Sequence, residues 1–178
     1  MEFERNNLVI EDARLIFRNF AGRGDRYNAV GNRNFGVIIR DIELAEELKK
    51  KGWNVKPLRA KDDPDEITGY WLKVKVNYNS RKEPRIFILC GNTKTLLDED
   101  TVGELDNADI VSVDIEISGY TPSDESKQWR MNGTVGVSAY VQNMWVTVRR
   151  SALEEKYASM GQMSMFDEPD DNGDDLPF

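Results

Sequence analysis

The sequence contains no histidine and a single cysteine, Cys90. These absences exclude zinc sites of the His/Cys type, nucleophilic sites of the Ser-His-Asp or Cys-His type, and general bases built on imidazole. A lone cysteine cannot form an intrachain disulfide, and Cys90 ends an apolar run, 86–90, that is typical of a buried strand. We therefore expect a protein without disulfides, and we predict no metal and no cofactor.

Long apolar runs are also missing. No stretch has the roughly 20 apolar residues that a membrane-spanning helix requires, and residues 1–12 lack the basic start and apolar centre of an export signal. A chain of 178 residues with 39% hydrophobic residues fits a single core. We expect a soluble cytoplasmic protein.

Charge is distributed unevenly along the chain, although the formal sum is −8. Residues 158–178 contain 6 acidic residues and no Lys or Arg, whereas residues 14–85 contain 17 Lys and Arg against 10 Asp and Glu. Because a local basic surface governs phosphate binding more than net charge does, the basic half is compatible with a nucleic-acid partner. The abrupt change of composition after Tyr157 predicts a folded domain over 1–157 and a disordered acidic tail over 158–178.

Strand patterns dominate the predicted domain, with helical patterns few and short. A phase shift near Gln142-Asn143 predicts a β-bulge in the last strand. The clearest helix spans 42–51, with Asp41 as its cap and Gly52 as its stop; weaker helices are predicted at 98–108 and 151–157. The predicted strands are 8–20, 33–40, 71–78, 85–90, 110–118 and 135–148. These elements predict a mainly β fold, a closed or partly open barrel or a sandwich, with two or three short helices.

One predicted strand has a basic aromatic face, because Trp71, Lys73 and Lys75 alternate with aliphatic residues. Bases stack on aromatic rings while cations contact phosphates, so this composition is typical of single-stranded nucleic-acid binding. Most aromatics of a small domain are buried; we expect Trp71 and Tyr27 at the surface, and Phe17 and Phe87 in the core. The full predicted DNA-binding set is Arg14, Arg18, Phe20, Arg23, Arg26, Tyr27, Arg33, Phe35, Trp53, Lys56, Arg59, Lys61, Trp71, Lys73 and Lys75.

Carboxylates cluster at 62–66 and 98–100, and a magnesium-dependent nuclease needs several acids at one site. Because neighbouring residues in a loop point in different directions, we interpret 62–66 as a solvated loop and 98–100 as the start of a helix, in preference to a metal site. The segment 90–95 ends like a phosphate-binding loop but lacks two of its glycines, so a turn between strands is the better interpretation. The alternatives to nucleic-acid binding are a protein-interaction module or DNA mimic, and a magnesium nuclease.

The last residues, Asp174-Asp175-Leu176-Pro177-Phe178, follow further acidic residues. This ending resembles the C-terminal tip by which bacterial single-stranded DNA-binding proteins recruit replication and repair enzymes; the alternative is a solubilising acidic terminus. The segment 31–35, Gly-Asn-Arg-Asn-Phe, together with 16–20 and Tyr27-Asn28, is similar to phage single-stranded DNA-binding proteins.

This resemblance implies an oligonucleotide/oligosaccharide-binding (OB) fold that coats single-stranded DNA during phage replication, recombination and repair, without catalysis, in the cytoplasm of a bacterial host. The long Gly/Gln-rich linker of the bacterial housekeeping protein is absent, so its four-subunit assembly is not implied.

The segment 162–166, Gln-Met-Ser-Met-Phe, is similar to the short peptides that dock in the cleft of the bacterial sliding clamp. The alternative is an apolar patch in a linker. The predicted partner-binding residues of the tail are Gln162, Met163, Met165, Phe166, Asp174, Asp175, Leu176, Pro177 and Phe178.

Overall fold

The computed structural model describes residues 7–150, apart from the side chains of Lys127 and Met131. Within them lie one α-helix, α1 (Ile42–Lys50), and two 3-10 helices, Val102–Asp106 and Glu125–Lys127. The strands are β1 (Asn7–Ala13), β2 (Leu15–Asn19), β3 (Arg33–Ile39), β4 (Val55–Arg59), β5 (Ile67–Val76), β6 (Arg85–Cys90), β7 (Thr93–Leu97), β8 (Ile110–Tyr120), β9 (Arg130–Met131), β10 (Thr134–Val135) and β11 (Ser138–Val148). The predicted mainly β fold is confirmed.

Nine strands form one curled sheet with the order β1-β8-β11-β5-β3-β2, to which β4, β6 and β7 are attached, while β9 and β10 form a separate hairpin. The path is open, but its two ends are consecutive in the chain and separated only by Arg14. The Arg14 carbonyl accepts a hydrogen bond from the backbone N–H of Ile38 in β3 at 3.0 Å. The two end strands are therefore joined in the chain through Arg14, and this open, mainly β sheet fits an OB-like fold.

The first predicted strand, 8–20, is divided in the structure because the chain bends at two residues. Asp12 and Phe17 have φ angles of 50° and 51°, and the pairing register shifts beside each of them. β1 consequently pairs with β8, and β2 pairs with β3. Because a one-residue slip reverses the faces of all following side chains, Phe17 turns to solvent and Phe20 turns to the core. The prediction that Phe17 belongs to the core is wrong.

The central strand is β11, and its predicted bulge is confirmed by a register shift between Val141 and Asn143. Before the bulge, Ala139 and Tyr140 pair in parallel with β5; after it, 143–147 pair in parallel with β6. β8 lies antiparallel along the other edge. One bent strand thus joins two sections of the sheet.

The predicted cap of α1 is confirmed, since the Asp41 carboxylate accepts hydrogen bonds from the backbone N–H groups of Glu43 at 3.0 Å and Leu44 at 3.4 Å. Gly52 follows the last turn with a φ of 90°, a conformation that favours glycine. Of the second predicted helix, 98–108, only the 3-10 helix Val102–Asp106 forms; in the turn before it, the carboxylate of Asp98 accepts from the N–H and Oγ1 of Thr101. The helix predicted at 151–157 lies outside the described residues.

The strands β4 and β7 were not predicted, and neither was the short hairpin of β9 and β10. β4 contains Pro57, which is tolerated at a sheet edge, and β7 is short and mostly polar. The turn interpretation of 90–95 is confirmed, since Cys90 pairs with Thr93 across a two-residue turn that contains Gly91.

The compact unit formed by the described residues extends to Val148. The predicted domain boundary after Tyr157 and the predicted tail lie outside the described residues and stay predictions. Within residues 7–150, no helix is both long enough and apolar enough to cross a membrane.

Candidate nucleic-acid interface

The outer face of β5 carries Trp71, Lys73 and Lys75, all partly exposed, while the aliphatic residues between them are buried. This is the alternation that the sequence predicted. The register places Lys56 of β4 and Ile38 of β3 beside Trp71. An indole therefore lies among three lysines on one sheet face.

The position of Trp71 depends on Gly36. A Cβ at Gly36 would lie 2.7 Å from Cε3 of Trp71, so the indole packs directly on the backbone of β3. The ring of Phe17 contacts Trp71 edge to face, with centroids 5.0 Å apart, and Nζ of Lys56 lies 5.5 Å from the indole centroid. Phe17 remains 64% exposed. We call Phe17, Gly36, Lys56, Trp71 and Lys73 the Trp71 surface.

The electrostatics of this surface favour an anion. Burial lowers the pKa of the Lys73 amine from its usual value, and repulsion from Lys56 lowers it further. A phosphate beside these ammonium groups would relieve the repulsion and stabilise the charged form of Lys73.

The row of cations and rings continues from β5 across the neighbouring strands. Nζ of Lys75 lies 5.9 Å from the ring centroid of Tyr140 in β11. Tyr140 in turn stacks on Tyr120 of β8, with centroids 4.3 Å apart and ring planes 18° apart. Tyr140 is only 8% exposed and Tyr120 is 38% exposed, so an extended strand of nucleic acid on this face would meet Lys75 and the ring of Tyr120.

A groove of about 540 Å³ lies next to the Trp71 surface, at the loop 21–32. Tyr27, at the tip of this loop, is 91% exposed. The residues that line the groove include Phe17, Asn19, Arg23, Tyr27, Asn34 and Lys73.

Hydrogen bonds within the loop hold it beside the groove. Nδ2 of Asn28 donates to the carbonyls of Arg23 and Asn32 at 2.9 Å each, and Oδ1 of Asn28 accepts from Nδ2 of Asn34 at 3.1 Å. The backbone N–H of Tyr27 donates to Oδ1 of Asp25 at 2.7 Å. A loop that is already ordered loses less conformational entropy when Tyr27 contacts a base.

Three predicted contact residues belong to the core instead. Phe20, Phe35 and Trp53 are only 0%, 1% and 2% exposed. Phe20 and Phe35 stack on each other with centroids 4.7 Å apart, and Trp53 packs against Gly119, where a Cβ would lie 2.6 Å from the indole. Because none of these rings can offer a face to a base, their prediction as DNA contacts is wrong.

Two predicted arginines make internal contacts. Nη1 of Arg18 donates to the carbonyls of Leu105 and Ala108 at 2.8 Å each, at the end of the first 3-10 helix. Nη2 of Arg33 donates to the carbonyl of Glu99 at 3.1 Å, and its guanidinium lies over the ring of Tyr78. Both arginines position elements around the groove, a role the sequence pattern did not distinguish from phosphate binding.

The other predicted cations lie at different distances from Trp71. Arg23 lines the groove and pairs with Asp106 at 3.7 Å, while Arg26 is exposed in the same loop. Arg59 is exposed three residues beyond Lys56 on β4, and Lys61 is exposed in the loop that follows. Arg14 lines a separate cleft, so the structure does not bring it to the groove.

Sequence reasoning missed Phe17, Asn34, Tyr120 and Tyr140. For Tyr140 the signal was present, since its neighbours Ala139 and Val141 belong to the core; Tyr140 lies outside that core but is itself only 8% exposed. No pattern in the sequence indicates that Phe17 is exposed, because the slip beside it depends on tertiary pairing.

Neither carboxylate cluster forms a metal site among residues 7–150, where no group of three or more Cys, Asp or Glu side chains is arranged to hold an ion.

The family model described as "Putative phage ssDNA-binding domain" matches residues 1–175. Solved structures of a single-stranded DNA-binding protein from bacteriophage Enc34 are similar to the chain at low identity. The complex with ssDNA has a TM-score of 0.48 at 7% identity, and the C-terminal truncation has 0.47 at 7%; both alignments cover 83% of this chain and 89% of the other. A further Enc34 structure has a TM-score of 0.44 at 6% identity, covering 80% of this chain and 81% of the other. No curated protein matches the chain in sequence.

Proposed function

Because the chain belongs to the family of phage ssDNA-binding domains, which it matches over residues 1–175, we propose that it coats single-stranded DNA without reading sequence and without catalysing a reaction. The observation that carries this proposal is the Trp71 surface, where an indole supported by Gly36 and Phe17 lies beside Lys56 and Lys73. Every base has a ring face that can stack on an indole, and every nucleotide has a phosphate for a lysine.

The positions of the exposed rings and lysines indicate the path that bound single-stranded DNA would take. Bases would stack on Tyr27 and Phe17 at the groove and on Trp71 next to it, and Lys73 and Lys75 would contact phosphates as the strand passes toward Tyr140 and Tyr120. No base edge is read by these contacts, since rings and ammonium groups provide no pattern of hydrogen-bond donors and acceptors for one base.

The wider role that we propose is protection of single strands during phage replication, recombination and repair in the cytoplasm of a bacterial host. The tip Asp174–Phe178 would recruit replication or repair proteins, because its acidic residues fit a basic pocket and Phe178 supplies an apolar anchor. The segment 162–166 would dock on the sliding clamp. Both segments lie outside the described residues, and their support is the sequence.

A fluorescence titration with oligo-dT tests the proposed function. We expect quenching of tryptophan emission on binding, no metal requirement, weak competition by duplex, and an affinity that falls steeply between about 50 and 200 mM salt, since each phosphate contact releases counterions. Affinity that stays flat with salt, or equal competition by duplex, would overturn the proposal. Binding to proteins but to no oligonucleotide would favour an interaction module, and magnesium-dependent cleavage of the oligonucleotide would favour a nuclease.

A further inference from the structure

A second group of cations and rings lies on the outer face of β6, β7 and β11. Nζ of Lys94 lies 4.4 Å from the ring centroid of Phe87, and the guanidinium of Arg85 lies 5.3 Å from the same centroid. The ring of Trp145 is nearly parallel to Phe87, at 12° between planes and 6.3 Å between centroids. None of these four residues belongs to the Trp71 surface.

The strand register fixes the direction of these side chains. Trp145 pairs with Phe87 across β11 and β6, and Phe87 pairs with Leu96 across β6 and β7. Met144 and Val146, the neighbours of Trp145, are fully buried. Trp145 therefore faces outward and is partly exposed, and the exposed Leu96 extends the same row.

Two carboxylates on β8 border this group, and both are engaged in hydrogen bonds. Oδ1 of Asp114, opposite Trp145, accepts from the backbone N–H of Asp12 at 2.9 Å. Oε2 of Glu116 accepts from Nδ2 of Asn143 at 2.9 Å. The cations lie on the other side, on β6 and β7, so an anionic ligand would run along those strands with its apolar part over Trp145.

The bulge in β11 connects this group to the proposed DNA path. Tyr140, before the bulge, lies next to Lys75, and Trp145, after it, lies next to Phe87. Tyr140 and Trp145 are five positions apart in β11, at most about 16 Å of extended chain. A DNA strand that contacts Lys75 and Tyr140 can therefore reach Trp145 by following β11.

The geometry points to a second contact surface for single-stranded DNA, in which Trp145 stacks a base and Arg85 and Lys94 bind the phosphates that follow. This inference rests on the proposed function, whose own site is the Trp71 surface. Phe87 is covered by the two cations and does not stack a base itself; it holds the guanidinium and ammonium groups in place, which lowers the entropy lost on binding phosphate.

The test compares two lengths of oligo-dT, about 4 and about 16 nucleotides, the extremes for one OB fold. In the full chain, the double variant Arg85→Gln/Lys94→Gln should bind the short oligonucleotide as tightly as the native protein. It should bind the long one more weakly, with the slope of log affinity against log salt reduced by roughly 1.4, since each lost contact to a single strand removes about 0.7.

Trp145→Leu should weaken binding of the long oligonucleotide by roughly 5- to 150-fold, the range for loss of one stacked base, and should leave the short one unchanged. The charge-matched control is Lys49→Gln/Lys50→Gln at the exposed end of α1, which packs on β3, β4 and β5. This control removes the same two charges and should leave the difference between the two lengths intact.

The outcomes separate the two proposals. If the native protein binds neither oligonucleotide, the proposed function fails. If it binds both and the Arg85/Lys94 variant matches the Lys49/Lys50 control at both lengths, the second surface is wrong while the function stands. A surface for acidic peptide would leave DNA affinity unchanged and weaken capture of a peptide of residues 167–178, which would also overturn the inference.

Discussion

Phe17 combines a strained backbone with an exposed aromatic ring. Its φ of 51° lies in the left-handed region, which costs a residue other than glycine about 1–3 kcal/mol. The ring is nevertheless turned away from the core and placed against Trp71. Strain of this kind persists where surrounding structure enforces it, and at Phe17 it accompanies the side chain that borders both the groove and the proposed stacking surface.

Trp71 and Trp53 provide a matched pair of substitutions. Trp71→Ala should weaken oligo-dT binding by about 1–3 kcal/mol, the contribution of one stacked base, with a small change in melting temperature. Trp53→Ala should destabilise the fold by about 3–5 kcal/mol, since it empties a core position. Titration and thermal unfolding of both variants check this. A large loss of stability in Trp71→Ala with unchanged affinity would assign that indole to the core.

Gly36→Ala tests whether oligo-dT binding depends on the position of the Trp71 indole. The added Cβ would lie 2.7 Å from Trp71 and 2.9 Å from Cγ1 of Ile16, so the indole must shift. We expect an altered emission spectrum and weaker oligo-dT binding. Gly69→Ala is the control, because a Cβ at Gly69 on the same strand as Trp71 would meet nothing within 4 Å. Equal affinities for the two variants would contradict the role of Gly36.

Tyr78 should make the protein less stable in alkali. Burial raises the pKa of its hydroxyl from 10.0 to about 12, an effect only partly offset by the charge of Arg33. Between these values the unfolded state has lost the proton while the folded state retains it, so the free energy of unfolding falls as pH rises.

Tyr78→Phe should reduce this decline, and urea unfolding at several pH values between 10 and 12 measures it. Part of the decline should remain, because burial also raises the pKa of Tyr140. Tyr27→Phe, at an exposed tyrosine, serves as the control. An unchanged pH slope in Tyr78→Phe would show that this hydroxyl does not account for the effect.

At the scale of elements, the loop 21–32 should act through its internal order. Asn28→Ala removes hydrogen bonds to Arg23, Asn32 and Asn34 and should weaken oligo-dT binding although Asn28 need not touch DNA. If Asn28 acts by holding Tyr27 in place, Asn28→Ala and Tyr27→Ala should not be additive, and the double variant should bind about as weakly as the worse single one. Full additivity in this double-mutant cycle would contradict the coupling.

The helices and strands also show which features of the fold can be predicted from the sequence. Three features follow from local sequence and were predicted: the cap and stop of α1, the exposed and buried faces of β5, and the bulge in β11. The division of 8–20 was not, because non-glycine residues at Asp12 and Phe17 adopt positive φ only where pairing with β8 and β3 imposes it. The same slip explains why Phe20 was assigned to the surface.

Long-range contacts are the second reason why the sequence did not predict the role of every site residue. Arg18 and Arg33 look like phosphate ligands in the sequence, but their hydrogen-bond partners, Leu105, Ala108 and Glu99, lie more than 60 residues away along the chain. Trp53 likewise closes the core beside Gly119. Basic and aromatic composition therefore did not distinguish exposed residues of this region from residues that support the fold.

For the whole molecule, the uneven charge predicts competition between tail and DNA. Residues 158–178 carry 6 acidic side chains, which can occupy the same cations as phosphates do. Deleting residues 167–178 should tighten oligo-dT binding at low salt, with the gain disappearing at high salt. Deleting Phe178 alone should leave DNA affinity unchanged, since all six carboxylates remain. It should abolish partner recruitment, because the apolar anchor is lost. Equal affinity of the full and shortened chains at low salt would contradict the competition.

The arrangement of β11 has a consequence for how the protein is made. This strand pairs with β5, β6 and β8, yet it is the last strand of the described chain to leave the ribosome. Until then those three strands have open hydrogen-bonding edges, which are sites for aggregation and for pairing with another chain. Synthesis at about 5–20 residues per second extends this exposure over several seconds. A nascent chain therefore exposes these unpaired edges until β11 has been synthesised, and aggregation between chains on one polysome is the risk that this strand order creates.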